Sequence, residues 1–254
     1  MNQKLTIVSN KKLTNNVYEL VLKGDLVNIM HVPGQFIHIQ VPRPDLILRR
    51  PISLAKIDHH NSTCTVVLRA SGQGTQSIVD TKVGDSLNVM GPLGNGFPID
   101  FLVNDNRALL IGGGIGIPPL LECAKQLYEK GVKCTIVLGF INHSAVFYET
   151  EFKQYGEVMI ATDDGSYQIK GNVKTVIDQL DQTFNAIYAC GPTGLTRMVN
   201  EYFKDHPNAY ISLEERMACG IGACAGCTVT HVNKRSNYKV CSDGPVFKTN
   251  EVII

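Results

Sequence analysis

Neither sign of charge dominates this chain. Its 254 residues hold 24 Lys and Arg against 23 Asp and Glu, a net charge of +1, so there is no basic field to draw in nucleic acid or an anionic membrane. Long apolar runs are missing too. No stretch reaches the roughly 18 apolar residues of a spanning helix, and Met1-Asn2-Gln3-Lys4-Leu5-Thr6 leads into mixed polar sequence rather than the apolar core of a signal peptide. There is no internal repeat, and no histidine pair has metal-ligand spacing with a carboxylate partner. A hydrophobic fraction of 44% and a charged fraction of 19% fit an ordinary soluble protein with room for two compact domains and an appendage. Cysteine, by contrast, is plentiful. Eight cysteines without a secretory signal point to a reducing compartment, so a cytoplasmic chain with free thiols is expected.

Four of these thiols form a pattern. Cys219, Cys224 and Cys227 follow C-x4-C-x2-C, with Cys241 as a more distant fourth, which is the plant-type [2Fe–2S] ligand spacing. Four thiolates must converge on a small inorganic core, and the Gly and Ala residues between them let the backbone wrap closely. Structural zinc and disulfides compete for the same residues. Zinc sites more often pair two C-x2-C knuckles, and here only Cys224 and Cys227 make one. Cys64, Cys123 and Cys134 sit in apolar contexts and read as core.

The remainder divides into two regions. Up to about residue 100, short β-type runs (Val17 to Leu22, Phe36 to Val41, Cys64 to Arg69, Ser86 to Met90) alternate with turns and no long helical period, which predicts an antiparallel β-barrel. Gln35 to Val41 alternates polar and apolar residues, as a half-buried strand does. From 101 to 212 the apolar runs Ala108 to Ile111, Thr135 to Leu138 and Ala186 to Ala189 alternate with helical stretches at Leu120 to Leu127, Asn172 to Leu180 and Leu195 to Phe203. That order predicts a parallel α/β domain. Residues 213–254 would be the cysteine-bearing appendage.

Two glycine turns follow apolar strands: Gly112-Gly113-Gly114-Ile115-Gly116 and Cys190-Gly191-Pro192-Thr193-Gly194. Turns of this kind put backbone N–H groups and a helix N-terminus at the carboxyl edge of the sheet, where a pyrophosphate binds. The first is not a complete G-x-G-x-x-G, because Ile117 stands at the last glycine position. Gly139 to Ala145, after the second strand, contains no Arg or Lys for a 2′-phosphate, which favours NAD over NADP.

The order β-barrel, Arg50-Pro51-Ile52-Ser53, Gly72-Gln73-Gly74-Thr75, the Gly112 to Pro119 loop and Cys190-Gly191-Pro192 resembles the ferredoxin-NADP reductase superfamily. With the run Glu214 to Cys227 added, the whole chain is similar to the electron transfer subunits of NAD-dependent dihydroorotate dehydrogenase B. The resemblance implies FAD held by Arg50, Pro51, Ile52, Ser53, Val67, Leu68, Arg69, Gly74 and Thr75, with the Arg50 guanidinium on the pyrophosphate. It implies NAD at Gly113, Gly114, Gly116, Cys190, Gly191 and Pro192, with Cys190 positioning nicotinamide rather than transferring protons, and a [2Fe–2S] cluster on Cys219, Cys224, Cys227 and Cys241. Many relatives carry tyrosine before the serine; this chain has Ile52, so flavin packing on that side would be aliphatic. The implied partner is an FMN-containing catalytic subunit that oxidises dihydroorotate in pyrimidine biosynthesis, in a heterotetramer of two of each. Rival readings are another FAD and cluster subunit (sulfhydrogenase gamma or NADH-dependent ferredoxin:NADP oxidoreductase), a self-contained reductase, and a zinc-bearing interaction module. The first group tends to carry bulkier or charged residues where this chain has Ala223 and Ala225.

Overall fold

The computed structural model describes residues 1–181 and 183–254. Six antiparallel strands, β1 (Asn2–Lys12), β2 (Val17–Lys23), β3 (Phe36–Ile39), β4 (Arg50–Asp58), β5 (Thr63–Arg69) and β6 (Ser86–Leu93), close into a barrel in the order β1-β2-β5-β4-β3-β6. A short helix α1 (Gln73–Val79) follows β5. Every second residue points inward, so Leu5, Ile7, Leu20, Leu22, Ile37, Ile39, Leu54, Val66 and Leu87 pack one core. Each such side chain contributes about 1.5–3 kcal/mol through burial. The strand β1 is largely polar outside Leu5 and Ile7, so its apolar signal is weak.

The expected half-buried alternation of Gln35 to Val41 does not hold. Phe36, Ile37, His38 and Ile39 are all buried. Ile37 and Ile39 face the barrel core, while Phe36 joins a second cluster with Cys227 and Cys241. The outer face of β3 is covered by protein, not water.

The second region folds as a seven-stranded sheet, β10-β9-β8-β7-β11-β12-β15. Its strands are β7 (Arg107–Gly113), β8 (Lys133–Phe140), β9 (Gly156–Thr162), β10 (Ile169–Lys170), β11 (Ala186–Cys190), β12 (Ala209–Ser212) and β15 (Val246–Lys248). Helices α2 (Pro118–Glu129), α3 (Glu149–Phe152), α4 (Val173–Ile177) and α5 (Thr193–Tyr202) lie between them. All pairings are parallel except β12 with β15. The chain builds outward from β7 through β8 to β10 and then returns to β11 on the other side, so the switch point lies between β7 and β11.

The last segment adds a small hairpin, β13 (Thr228–Thr230) with β14 (Asn237–Lys239), and then supplies β15 to the central sheet. It is therefore stitched into its neighbours rather than appended. The Asn95 side chain on the barrel side also donates to the carbonyls of Ser242 and Asp243, at 3.1 Å each.

The barrel and the α/β region meet across β4 and α2. Glu122, 2% exposed, accepts the Ile57 N–H at 2.9 Å and the Gln126 amide at 2.9 Å. Lys125 donates to the Ile57 carbonyl at 2.9 Å, and Gln126 to the His31 carbonyl at 3.0 Å. Burial pushes the Glu122 carboxyl up, against the pull of Gln126 and Lys125. Glu122→Ala strands a buried N–H, which costs about 1–3 kcal/mol, so thermal unfolding should occur several degrees lower. Glu122→Gln, which keeps an acceptor for Ile57, should recover most of the loss.

Candidate functional site

A groove of about 740 Å³ runs from the barrel into the cysteine segment. Arg50, Pro51, Ile52, Ser53, Val67, Leu68, Arg69 and Thr75 all line it. Arg50 is fixed before any ligand arrives: its Nη1 donates to the Leu48 carbonyl at 2.7 Å. A Cβ added to Gly74 would meet the Arg50 guanidinium at 2.5 Å. Gly74 thus makes room for the arginine and does not itself line the groove. Thr75 is the third residue of α1, and its hydroxyl is tied to the backbone before the helix. It accepts from the N–H groups of Ser71 and Gly72 and donates to the Gly72 carbonyl at 3.1 Å, shaping the turn.

Sequence reasoning missed the far wall. Phe36, Leu213, Glu214, Met217 and Pro245 also line the groove, brought there by tertiary packing that carries no local signal. Glu214 is solvent-accessible yet walled in by protein, which pushes its carboxyl up while Arg69 pulls it down.

A second cavity, of about 520 Å³, opens at the switch point. Gly113, Gly114, Pro192 and Arg69 line it, so Arg69 borders both spaces. The other candidates lie behind the wall. A Cβ on Gly116 would sit 2.5 Å from the backbone of Gly191, so these glycines let the two turns touch. Cys190 is 2% exposed, and burial pushes its thiol well up, which excludes a thiolate there.

The four thiols of the last segment come together: Cys219 interacts with Cys224, and Cys241 with both Cys227 and Cys219. Cys219 and Cys224 are half-exposed, whereas Cys227 and Cys241 are buried at 1% and 2%. Gly220 (φ +72°) and Gly222 (φ +77°) turn the loop through the left-handed region, which aims successive N–H groups at sulfur. Gly222 N–H lies 3.1 Å from Cys241 Sγ and Cys224 N–H lies 3.4 Å from Cys219 Sγ. The N–H groups of Ile221 and Cys224 pull the Cys219 thiol down to about 6, into the thiolate form that ligates metal. Burial, then the Cys227 thiol, pushes Cys241 up to about 11. An all-sulfur donor set, with backbone N–H groups on the sulfurs of Cys219 and Cys241, fits the thiolate ligation of a [2Fe–2S] cluster.

Three family models match in chain order: an oxidoreductase FAD-binding domain over residues 4–97, an oxidoreductase NAD-binding domain over 110–201, and the iron-sulfur cluster binding domain of dihydroorotate dehydrogenase B over 214–253. The electron transfer subunit of dihydroorotate dehydrogenase B (NAD(+)) from Streptococcus pneumoniae serotype 4 is 49% identical over 98% of this chain and 100% of its own length. The chain belongs to this family. The Geobacillus thermodenitrificans member is likewise 49% identical, over 99% of the chain and 98% of its own length. This dihydroorotate dehydrogenase B family member is an oxidoreductase component whose cofactors are FAD, an iron–sulfur cluster and NAD, and its family name implies a catalytic partner subunit. That membership sets aside the zinc-bearing module. The NADH-dependent reduced ferredoxin-NADP oxidoreductase structure shares the layout at TM-score 0.88 but only 28% identity, covering 98% of this chain and 89% of that one. Phthalate dioxygenase reductase, at 18% identity and TM-score 0.67 over 94% of both chains, shares the fold. No described helix is long and apolar enough to cross a membrane.

Proposed function

We propose that this chain is the cytoplasmic electron transfer subunit of an NAD-dependent dihydroorotate dehydrogenase, assembled as two copies with two FMN-bearing catalytic subunits. Dihydroorotate loses two electrons and two protons to become orotate, on the way to UMP; NAD⁺ takes both electrons and one proton, and the other proton is released. Bound FAD and cluster supply the exchange between two-electron and one-electron transfer.

The observation that carries this reading is the polarity of the thiol pairs. Cys219 and Cys224 are partly exposed, with Ile221 60% exposed between them, on a surface a partner would be able to reach. Cys227 and Cys241 share a packed cluster with Phe36 and Met217, which line the groove assigned to FAD. A cluster held by these four thiols would therefore lie between the exposed loop and the groove that would hold the flavin.

In the groove, Arg50 would pair with the flavin pyrophosphate, Ser53 would offer its hydroxyl to the ring system, and Ile52, Val67 and Leu68 would exclude water. At the switch point Gly113 and Gly114, at the approach to α2, receive the nicotinamide nucleotide. Gly116, Gly191 and Pro192 hold the two turns together, and Cys190 packs as a neutral thiol behind them.

Co-expression with an FMN-containing dihydroorotate oxidase tests the assignment. A stable complex should form and should reduce NAD⁺, in preference to NADP⁺, only when dihydroorotate is added. No complex and no dihydroorotate-dependent reduction would refute it.

A further inference from the structure

Among the described residues, the only buried side-chain nitrogens or oxygens without a hydrogen-bond partner are the two ring nitrogens of His38. The residue is 0% exposed. The Arg49 carbonyl lies near enough to influence the ring, but neither nitrogen meets it or any other group in hydrogen-bonding geometry. Leaving such a group unpaired costs about 1–3 kcal/mol, so a partner is to be expected where the ring points.

It points at the cysteine loop. A Cβ built on Gly220, the residue after Cys219, would sit 2.5 Å from His38 Nδ1 and 3.1 Å from its Cε1. Gly220 therefore lets the loop lie directly on the imidazole. The backbone that carries the ring is held from behind. Arg49 donates to the His38 and Asn88 carbonyls at 3.1 Å each and to the Asn88 side chain at 2.6 Å, tying β3 to β6. His38 pairs across the sheet with Pro51 of the flavin-side strand. Two residues earlier on the same face, Phe36 lines the flavin groove. Burial beside Arg49 and Arg50 holds the ring neutral, its protonation pushed down to about 4, so it carries one N–H to give.

We propose that His38 is a positioning residue for the iron–sulfur centre, reaching from the barrel to donate its single N–H to a sulfur of the cluster held by Cys219, Cys224, Cys227 and Cys241. Hydrogen bonds to sulfur stabilise the reduced, more negative cluster and raise its potential. The inference rests on the cluster reading proposed above.

The test uses the full chain co-expressed with its catalytic subunit. In protein labelled with ¹⁵N-histidine, pulsed EPR of the reduced cluster should show a nitrogen coupling that disappears in His38→Gln and His38→Leu. In an EPR-monitored redox titration His38→Leu should lower the potential by at least the tenfold change in equilibrium that corresponds to 59 mV for one electron, and His38→Gln, which keeps a donor, should fall between. A wild-type potential in fully loaded His38→Leu overturns the proposal, as does a coupling that persists in His38→Gln or is missing from wild type. If His38→Leu fails to load, the labelled wild-type and His38→Gln proteins decide alone. A wild-type complex without any two-iron signal overturns the cluster reading and this inference with it; a normal signal indifferent to His38 overturns only the inference.

Discussion

Serine in place of Cys227 should abolish dihydroorotate-driven NAD⁺ reduction while leaving FAD bound. Cys227 is 1% exposed and belongs to the inward pair of thiols. A serine hydroxyl there is a harder, far less acidic donor in an apolar pocket, and iron–sulfur centres take soft thiolates. The neighbours cannot compensate, because Val240 and Phe247 share its cluster and offer no ligand. The loss should exceed the roughly 10–100-fold cost of removing an outer-shell partner of a metal site. Iron and sulfide content should collapse, while NADH still bleaches the flavin, whose groove is lined chiefly by barrel residues. If Cys227→Ser keeps its iron and its coupled rate, the ligand assignment is wrong.

Arg50→Ala should empty the flavin groove. The guanidinium rests on Gly74 and is fixed by the Leu48 carbonyl at 2.7 Å, so it meets phosphate already ordered. A hydrogen bond to a charged group is worth about 1.5–3 kcal/mol, and a bidentate pair makes two. Weakening of FAD binding by on the order of 100-fold or more follows, read as flavin lost on gel filtration or as a raised Kd. Arg50→Lys should recover part of the affinity, since an ammonium supplies charge without the fork. Gly74→Ala should imitate Arg50→Ala in milder form by pushing the guanidinium aside. Unchanged FAD content in Arg50→Ala would move the pyrophosphate elsewhere in the groove.

How much of this is legible in the sequence depends on range. Ligand spacing is local, so Cys219, Cys224 and Cys227 can be read directly, and only Cys241 needs the fold to bring it close. Three strands of the α/β region, β7, β8 and β11, are plain as apolar runs beside glycine, whereas β9, β10 and β12 carry no such mark. Strand β1 is not plain either, since its outward residues are mostly polar and only Leu5 and Ile7 mark its buried face. The alternation around His38 has the period of two that a strand requires but misleads about environment, because the covering loop lies at the far end of the chain. The same long-range packing hides Phe36, Glu214 and Met217 from a sequence reading of the flavin groove and conceals that β15 completes the central sheet. The glycine motifs divide by role: Gly113 and Gly114 line a cavity, whereas Gly116 and Gly191 permit contact between two backbone turns.

An anaerobic titration of the purified chain with NADH, followed by visible absorption and EPR together, tests the electron route most directly. Flavin absorption should bleach and the EPR signal of a reduced [2Fe–2S] centre should grow in the same titration, with about two iron atoms and one FAD per chain, as four-cysteine ligation of a two-iron cluster and a single flavin groove require. A flavin that bleaches while no cluster signal ever develops, or a colourless chain carrying one zinc, would contradict the account.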